Sequence, residues 1–167
     1  MAAAPDIVRV WSNLLVQRAL LHETFERFRG IDDYGRRLRS GHLQDRIDAA
    51  ALESFANGVY EVLLELGVQL LLADAAEDRE AVERLTREAL LEVLLARKVL
   101  SKAQWEILDE VRLGRNDLTH RASFVPWKQV WRHVELIEGS IDKIMAGFQE
   151  NFERVQMPLD MDFPEFE

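Results

Sequence analysis

Hydrophobic residues recur every three or four positions along most of the chain, and this spacing predicts α-helices. Three predicted helices cover about residues 6–29, 43–73 and 78–99, and two more begin at Ser101 and Pro126. The chain has no strand-like alternation and no internal repeat. The fold class is therefore predicted to be all-α, an up-and-down bundle of about five helices.

Local signals set several of the predicted helix ends. Ser101 followed by Gln104 forms a capping box, and Pro126 suits the first position of a helix. Gly114 is expected to loosen its helix just before Arg115. Residues 30–43, rich in Gly and Arg, are predicted to form a loop or a short helix of undetermined role.

Length and charge divide the chain into a domain and a tail. With 167 residues the chain is long enough for one domain with a real core, predicted to span residues 1–150. Residues 150–167 contain six acids against one Arg, a net charge of −5. Residues 151–167 are predicted to be an acidic, flexible tail because they lack helical spacing.

Composition favours a cytoplasmic protein without a metal or cofactor. The absence of cysteine excludes disulfides and thiolate metal sites and suits a reducing compartment. The first residues lack the features of a secretion signal. The apolar run 59–73 is interrupted by Glu61 and Glu65, so a buried helix explains it better than a membrane span. The few His lack metal-ligand spacing, and no glycine-rich phosphate loop is present.

Charge is unevenly distributed along the sequence. The net charge of −9 argues against broad nucleic-acid binding, but residues 112–133 carry a local charge of +4. Ordinary surface mixing could produce such a segment. If it is functional instead, its cations are the candidate substrate-binding residues: Arg112, Arg121, Lys128 and Arg132.

The same basic segment contains the chain's best candidate for chemistry, the string Arg115-Asn116-Asp117-Leu118-Thr119-His120. Arg is permanently charged and can fork onto phosphate oxygens, and His exchanges protons near neutral pH. The other interpretation is purely structural, because such residues also stabilise the last turn of a helix.

The spacing of Arg115, Asn116 and His120, with the helices around them, resembles the HEPN family of all-helical domains. The resemblance covers roughly residues 102–148. It implies a metal-independent endoribonuclease, often a toxin or phage-defence effector, that pairs two copies so that two Arg–His sets line one cleft. It also implies a homodimer and an antitoxin or nucleotidyltransferase partner. Other members are catalytically inactive binding modules, which is the alternative here. One branch has a Tyr two residues after the His, where this chain has Ala122.

Cleavage of RNA would use the substrate's own 2′-hydroxyl as the nucleophile. His120 is then the candidate base or acid, Arg115 the phosphate clamp, and Asn116 an orienting group. On an ideal helix Arg115 and His120 lie about 140° and about 7.5 Å apart, so they converge more easily if the helix ends between them. One His cannot easily be both acid and base, which favours the dimer.

Three residues of the last predicted helix have a structural and a functional interpretation. His133 is expected at the surface or the edge of the core, with a supporting role at the site as the other reading. Trp127 and Trp131 lie four residues apart on one helix face. Packing in the core or a dimer is favoured for both over stacking on bases.

Overall fold

A computed structural model describes the backbone of residues 5–29, 43–74, 77–120 and 127–155, and the side chains within these ranges except 5, 43–46, 48, 49, 116–120, 127 and 128. Every secondary-structure element in this part of the chain is an α-helix, which confirms the predicted all-α class. Its six helices are α1 (Pro5–Arg29), α2 (Leu43–Ala73), α3 (Arg79–Glu83), α4 (Arg87–Ala96), α5 (Lys102–His120) and α6 (Trp127–Arg154). The predicted loop 30–43 lies almost wholly outside the described residues.

The third predicted helix is two helices, so the described residues form six helices where about five were predicted. α3 ends after Glu83 and α4 begins after Thr86, whose hydroxyl accepts a hydrogen bond from the Ala89 N–H at 3.1 Å. A Thr in this role is a good N-cap, and it starts a new helix rather than continuing the old one. The predicted helix also extended to residue 99, whereas α4 ends at Ala96 and Lys98 adopts a positive φ of 59°.

Helix α2 lies at the centre of the bundle and packs against α1, α3, α4 and α6. Its apolar residues face more than one neighbour, which explains why its predicted hydrophobic surface is so wide. Its glycines permit close approach: a β-carbon on Gly67 would lie 2.9 Å from the Leu94 side chain of α4. The fully buried side chains of α2 include Leu52, Val59, Tyr60, Leu63, Leu66 and Leu71.

This central helix also contains a stretch that is long and apolar enough to cross a membrane, Ala50–Ala73. Within the chain, 56% of the most apolar window of that stretch is buried. Length and composition do not distinguish a membrane span from the core helix of a soluble bundle, since both pass the same test.

Helix α6 extends past the predicted end of the helical domain. It continues to Arg154, and Phe152 is fully buried against the other helices. The predicted boundary at residue 150 therefore falls inside the packed bundle. Residues 156–167, the rest of the predicted tail, lie outside the described residues.

The predicted start of α5 is confirmed, but its predicted loosening at Gly114 is wrong. Ser101 Oγ accepts from the Gln104 N–H at 3.2 Å, and Gln104 Oε1 accepts from the Ser101 N–H at 2.9 Å. The helix then runs through Gly114 without interruption. Gly114 serves packing instead, because a β-carbon there would lie 2.7 Å from His133 Nε2 on α6.

Candidate functional site

The Arg-Asn-x-x-x-His string forms the last turns of α5. Because the helix does not end between Arg115 and His120, their backbone positions keep the separation of about 140° and about 7.5 Å. The two residues therefore start from different faces of one helix. The side chains of Asn116, His120 and Lys128, and the whole of Arg121, lie outside the described residues.

Arg115 is fixed by residues of α2. Its guanidinium donates through Nη1 to Glu61 Oε1 and lies over the Tyr60 ring, 5.1 Å from the ring centroid. Only 24% of the Arg115 side chain is exposed. Arg87 of α4 contacts the same Glu61 oxygen at 2.8 Å. Two guanidiniums thus share one carboxylate.

Burial next to Arg115 raises the pKa values of two residues, Glu53 and Tyr60. Burial raises the pKa of the Glu53 carboxyl, and the Arg115 charge offsets part of that rise. Burial likewise raises the pKa of Tyr60 to about 12, against the opposing charges of Arg115 and Arg87. Tyr60 therefore stays neutral at physiological pH, and its ring contributes a cation–π contact rather than a negative charge.

We expect Tyr60→Phe to raise the free energy of unfolding by about 1 kcal/mol, because the buried Tyr60 hydroxyl has no hydrogen-bond partner among the described residues. The ring and its contact with Arg115 are retained. Tyr60→Leu should instead lower stability, since it leaves a gap beside Arg115. Urea denaturation of the three proteins measures both effects. A loss of stability in Tyr60→Phe would mean that the hydroxyl is paired.

The two other described cations of the basic segment are also paired with carboxylates. Arg112 contacts Asp109 at 2.8 Å and Glu88 at 3.8 Å, and its side chain is 14% exposed. Arg132 forms a two-pronged pair with Glu110 across α5 and α6, with one prong at 3.2 Å, and its side chain is 63% exposed. The hydrogen bond from Arg132 lowers the pKa of Glu110. A phosphate bound at either Arg would compete with these carboxylates.

His133 lies at the edge of the core, as predicted, and only 7% of it is exposed. Burial lowers its pKa, Glu110 opposes that shift, and Arg132 adds to it. Its ring packs against Gly114 and lines a groove between α5 and α6.

Trp131, one of the two predicted packing tryptophans, stacks on Phe25 of α1 with ring centroids 5.1 Å apart. Trp127 lies outside the described side chains.

Within the part of the chain that the structure describes, no group of three or more His, Asp or Glu side chains is arranged to hold a metal ion.

The sequence pattern did not reveal Glu61 and Tyr60, which contact Arg115, or Arg87, which binds the same Glu61 oxygen. Their partner is distant: Glu61 and Arg115 are 54 residues apart in the chain. The available signal was the position of Glu61 within an otherwise apolar run, where a buried or half-buried acid usually has a cationic partner.

Comparisons with family models, characterised proteins and solved structures return no match to this chain. The resemblance to HEPN domains is therefore an expectation drawn from the sequence.

Proposed function

We propose that the chain is a metal-independent endoribonuclease of the HEPN type, acting as a toxin or phage-defence effector. The observation that carries the proposal is the fixed guanidinium of Arg115 near the end of α5, five residues before His120. A cation held in place before the substrate arrives stabilises developing phosphate charge without reorganisation in the transition state.

The pairing of Arg115 with Glu61 is compatible with a phosphate clamp. A guanidinium carries five N–H donors, so one group can contact a carboxylate and a phosphate together. Arg87 also binds Glu61 and so offsets its negative charge. In this account Glu61 positions Arg115, Arg115 neutralises the phosphate, Asn116 orients it, and His120 transfers the proton.

Cleavage by this route needs both an acid and a base. The 2′-hydroxyl loses its proton as its oxygen attacks phosphorus, and the departing 5′-oxygen gains one. A second copy of the chain would bring a second His120, so we propose a homodimer that includes α5 and α6. Light scattering tests this, and a clean monomer mass at micromolar concentration would contradict it.

A partner protein of the antitoxin or nucleotidyltransferase class belongs to the same proposal.

A catalytically inactive binding module is the second candidate. It is favoured by the carboxylate partners of Arg112 and Arg132, which weaken the positive field that RNA would meet. In that case the same helices would bind a protein or RNA without cleaving it.

We expect Arg115→Lys to reduce RNA cleavage in EDTA about tenfold. Lys keeps the charge but cannot donate two parallel hydrogen bonds to a phosphate as the guanidinium does. The loss of one charge-assisted hydrogen bond costs about 1.5 kcal/mol, which corresponds to the tenfold reduction. Arg79→Lys is the matched control, because Arg79 is exposed on α3, pairs with Glu83 at 2.9 Å and lies outside both the motif and the contacts of Glu61. Its cleavage rate should match wild type. Equal rates for all three proteins would remove Arg115 from the site.

A further inference from the structure

A groove between α5 and α6 lies next to the motif and has a volume of about 560 Å³. Its walls combine an aromatic ring, an amide, an imidazole and carboxylates, and it reaches Gly114, the residue before Arg115. The side chains used below are those of Trp105, Glu106, Gln129 and His133.

His133 is the least expected polar group in this groove. It is more than nine-tenths buried, yet neither ring nitrogen forms a hydrogen bond with a described residue. Because the ring lines the groove, its nitrogens are accessible to a ligand that enters it. Because burial lowers its pKa, the neutral ring predominates at pH 7 and can donate at one nitrogen and accept at the other.

The register of α5 places this groove on the same helix face as His120. Position 120 follows Leu113, which lines the groove, by seven residues. In a continuous helix seven residues bring the backbone back to within about 20° of the same direction, about 10.5 Å further along the axis. A strand of RNA that follows this face would meet the groove and the C-terminal end of α5 in succession.

The charges of the groove select a base rather than a phosphate. Asp109 and Glu110 already bind Arg112 and Arg132, whereas Glu106 is exposed and has no hydrogen-bond or ion-pair partner among the described residues. A carboxylate repels phosphate but accepts N–H donors from a base edge. Guanine presents two such donors side by side, on N1 and N2, and so matches both carboxylate oxygens. Uracil, cytosine and adenine each offer only one donor group on that edge.

We infer that the α5–α6 groove is a guanine-binding subsite, in which Glu106 accepts from the base edge and Trp105 supplies a stacking surface. Gln129 and His133 would contact the remaining polar atoms of the base. Unstacked RNA bases are commonly read in this way, by an aromatic face and edge hydrogen bonds. The inference rests on the proposed function for its RNA substrate, but base binding can be measured without cleavage.

The test is calorimetric titration of the full chain with GMP, AMP, CMP and UMP. All four nucleotides carry the same phosphate, so differences in affinity between them are due to the base. We expect GMP to bind about tenfold more tightly than the others, the discrimination of one good two-pronged base contact. Glu106→Gln replaces one acceptor with a donor and should abolish the preference. Glu92→Gln, at an exposed acid on α4, is the matched control and should retain it.

Equal or absent binding of the four nucleotides by the folded wild-type chain would overturn the guanine subsite, whether or not the protein cleaves RNA. A guanine preference that survives in Glu106→Gln would overturn the assigned recognition. Guanine-selective binding without any cleavage would instead retain the subsite and remove the ribonuclease, so the two proposals fail separately.

Discussion

Replacing His120 with Ala is expected to reduce metal-independent RNA cleavage about 10²–10⁴-fold, the usual contribution of a general acid or base. His120 is the one motif residue whose side chain can carry a proton to or from the reacting oxygens near neutral pH. The measurement is the initial rate of cleavage of a mixed RNA pool in EDTA. Circular dichroism should give the same helical content for both proteins.

His22→Ala is the matched control for that experiment. His22 is exposed on α1, where it pairs with Glu138 of α6, and it lies outside the motif. Its removal should leave cleavage unchanged. If the His120→Ala protein cleaves as fast as wild type, the activity comes from another group or from a contaminating nuclease.

Phe152→Ala is expected to lower the free energy of unfolding by about 3–5 kcal/mol, the typical cost of truncating a fully buried Phe. The side chain lies beyond the domain end that composition suggests, so the effect tests whether the bundle extends to Arg154. Glu153→Ala, at the exposed neighbouring position, should change stability by less than about 0.5 kcal/mol.

Two C-terminally truncated chains test in a second way whether the bundle extends to Arg154. A chain ending at Val155 retains Phe152 and should unfold near the wild-type denaturant midpoint. A chain ending at Glu150 loses Phe152 and should unfold well below it. Equal midpoints for the two truncated chains would mean that the last turn of α6 contributes little to the core.

The parts of the fold that follow from local patterns could be predicted. The limits of α1 and α2 agree with the apolar spacing to within a residue, because both helices bury long, regular surfaces. The capping box at Ser101 involves residues only three apart, so it can also be recognised directly.

Features that depend on a second helix could not be predicted in this way. The role of Gly114 is set by the His133 ring of α6, so reasoning from its own helix wrongly predicted a loosened turn. The anchoring of Arg115 by Glu61 joins α5 to α2 and leaves no trace in the spacing of either helix. The break at Thr86 was hidden because apolar residues continue at helical spacing on both sides of it.

The charge pattern along the sequence likewise identifies the cations of the segment but not their carboxylate partners. A count along residues 112–133 gives an excess of cations, but Arg112 and Arg132 have carboxylate partners, and Arg115 shares Glu61 with Arg87. If the chain binds RNA, its affinity should therefore be modest at physiological salt and should depend on the geometry at the end of α5. This distinguishes it from a broadly basic nucleic-acid-binding surface.

The most direct test of the central proposal is the chemistry of the product ends. An RNA oligonucleotide and the DNA of the same sequence are incubated with the purified chain in EDTA, and the products are identified by mass spectrometry. We expect RNA fragments with 2′,3′-cyclic phosphate and 5′-hydroxyl ends, and intact DNA, because the 2′-hydroxyl is the nucleophile. A folded wild-type protein that leaves every RNA intact, or that yields 5′-phosphate ends, would contradict it.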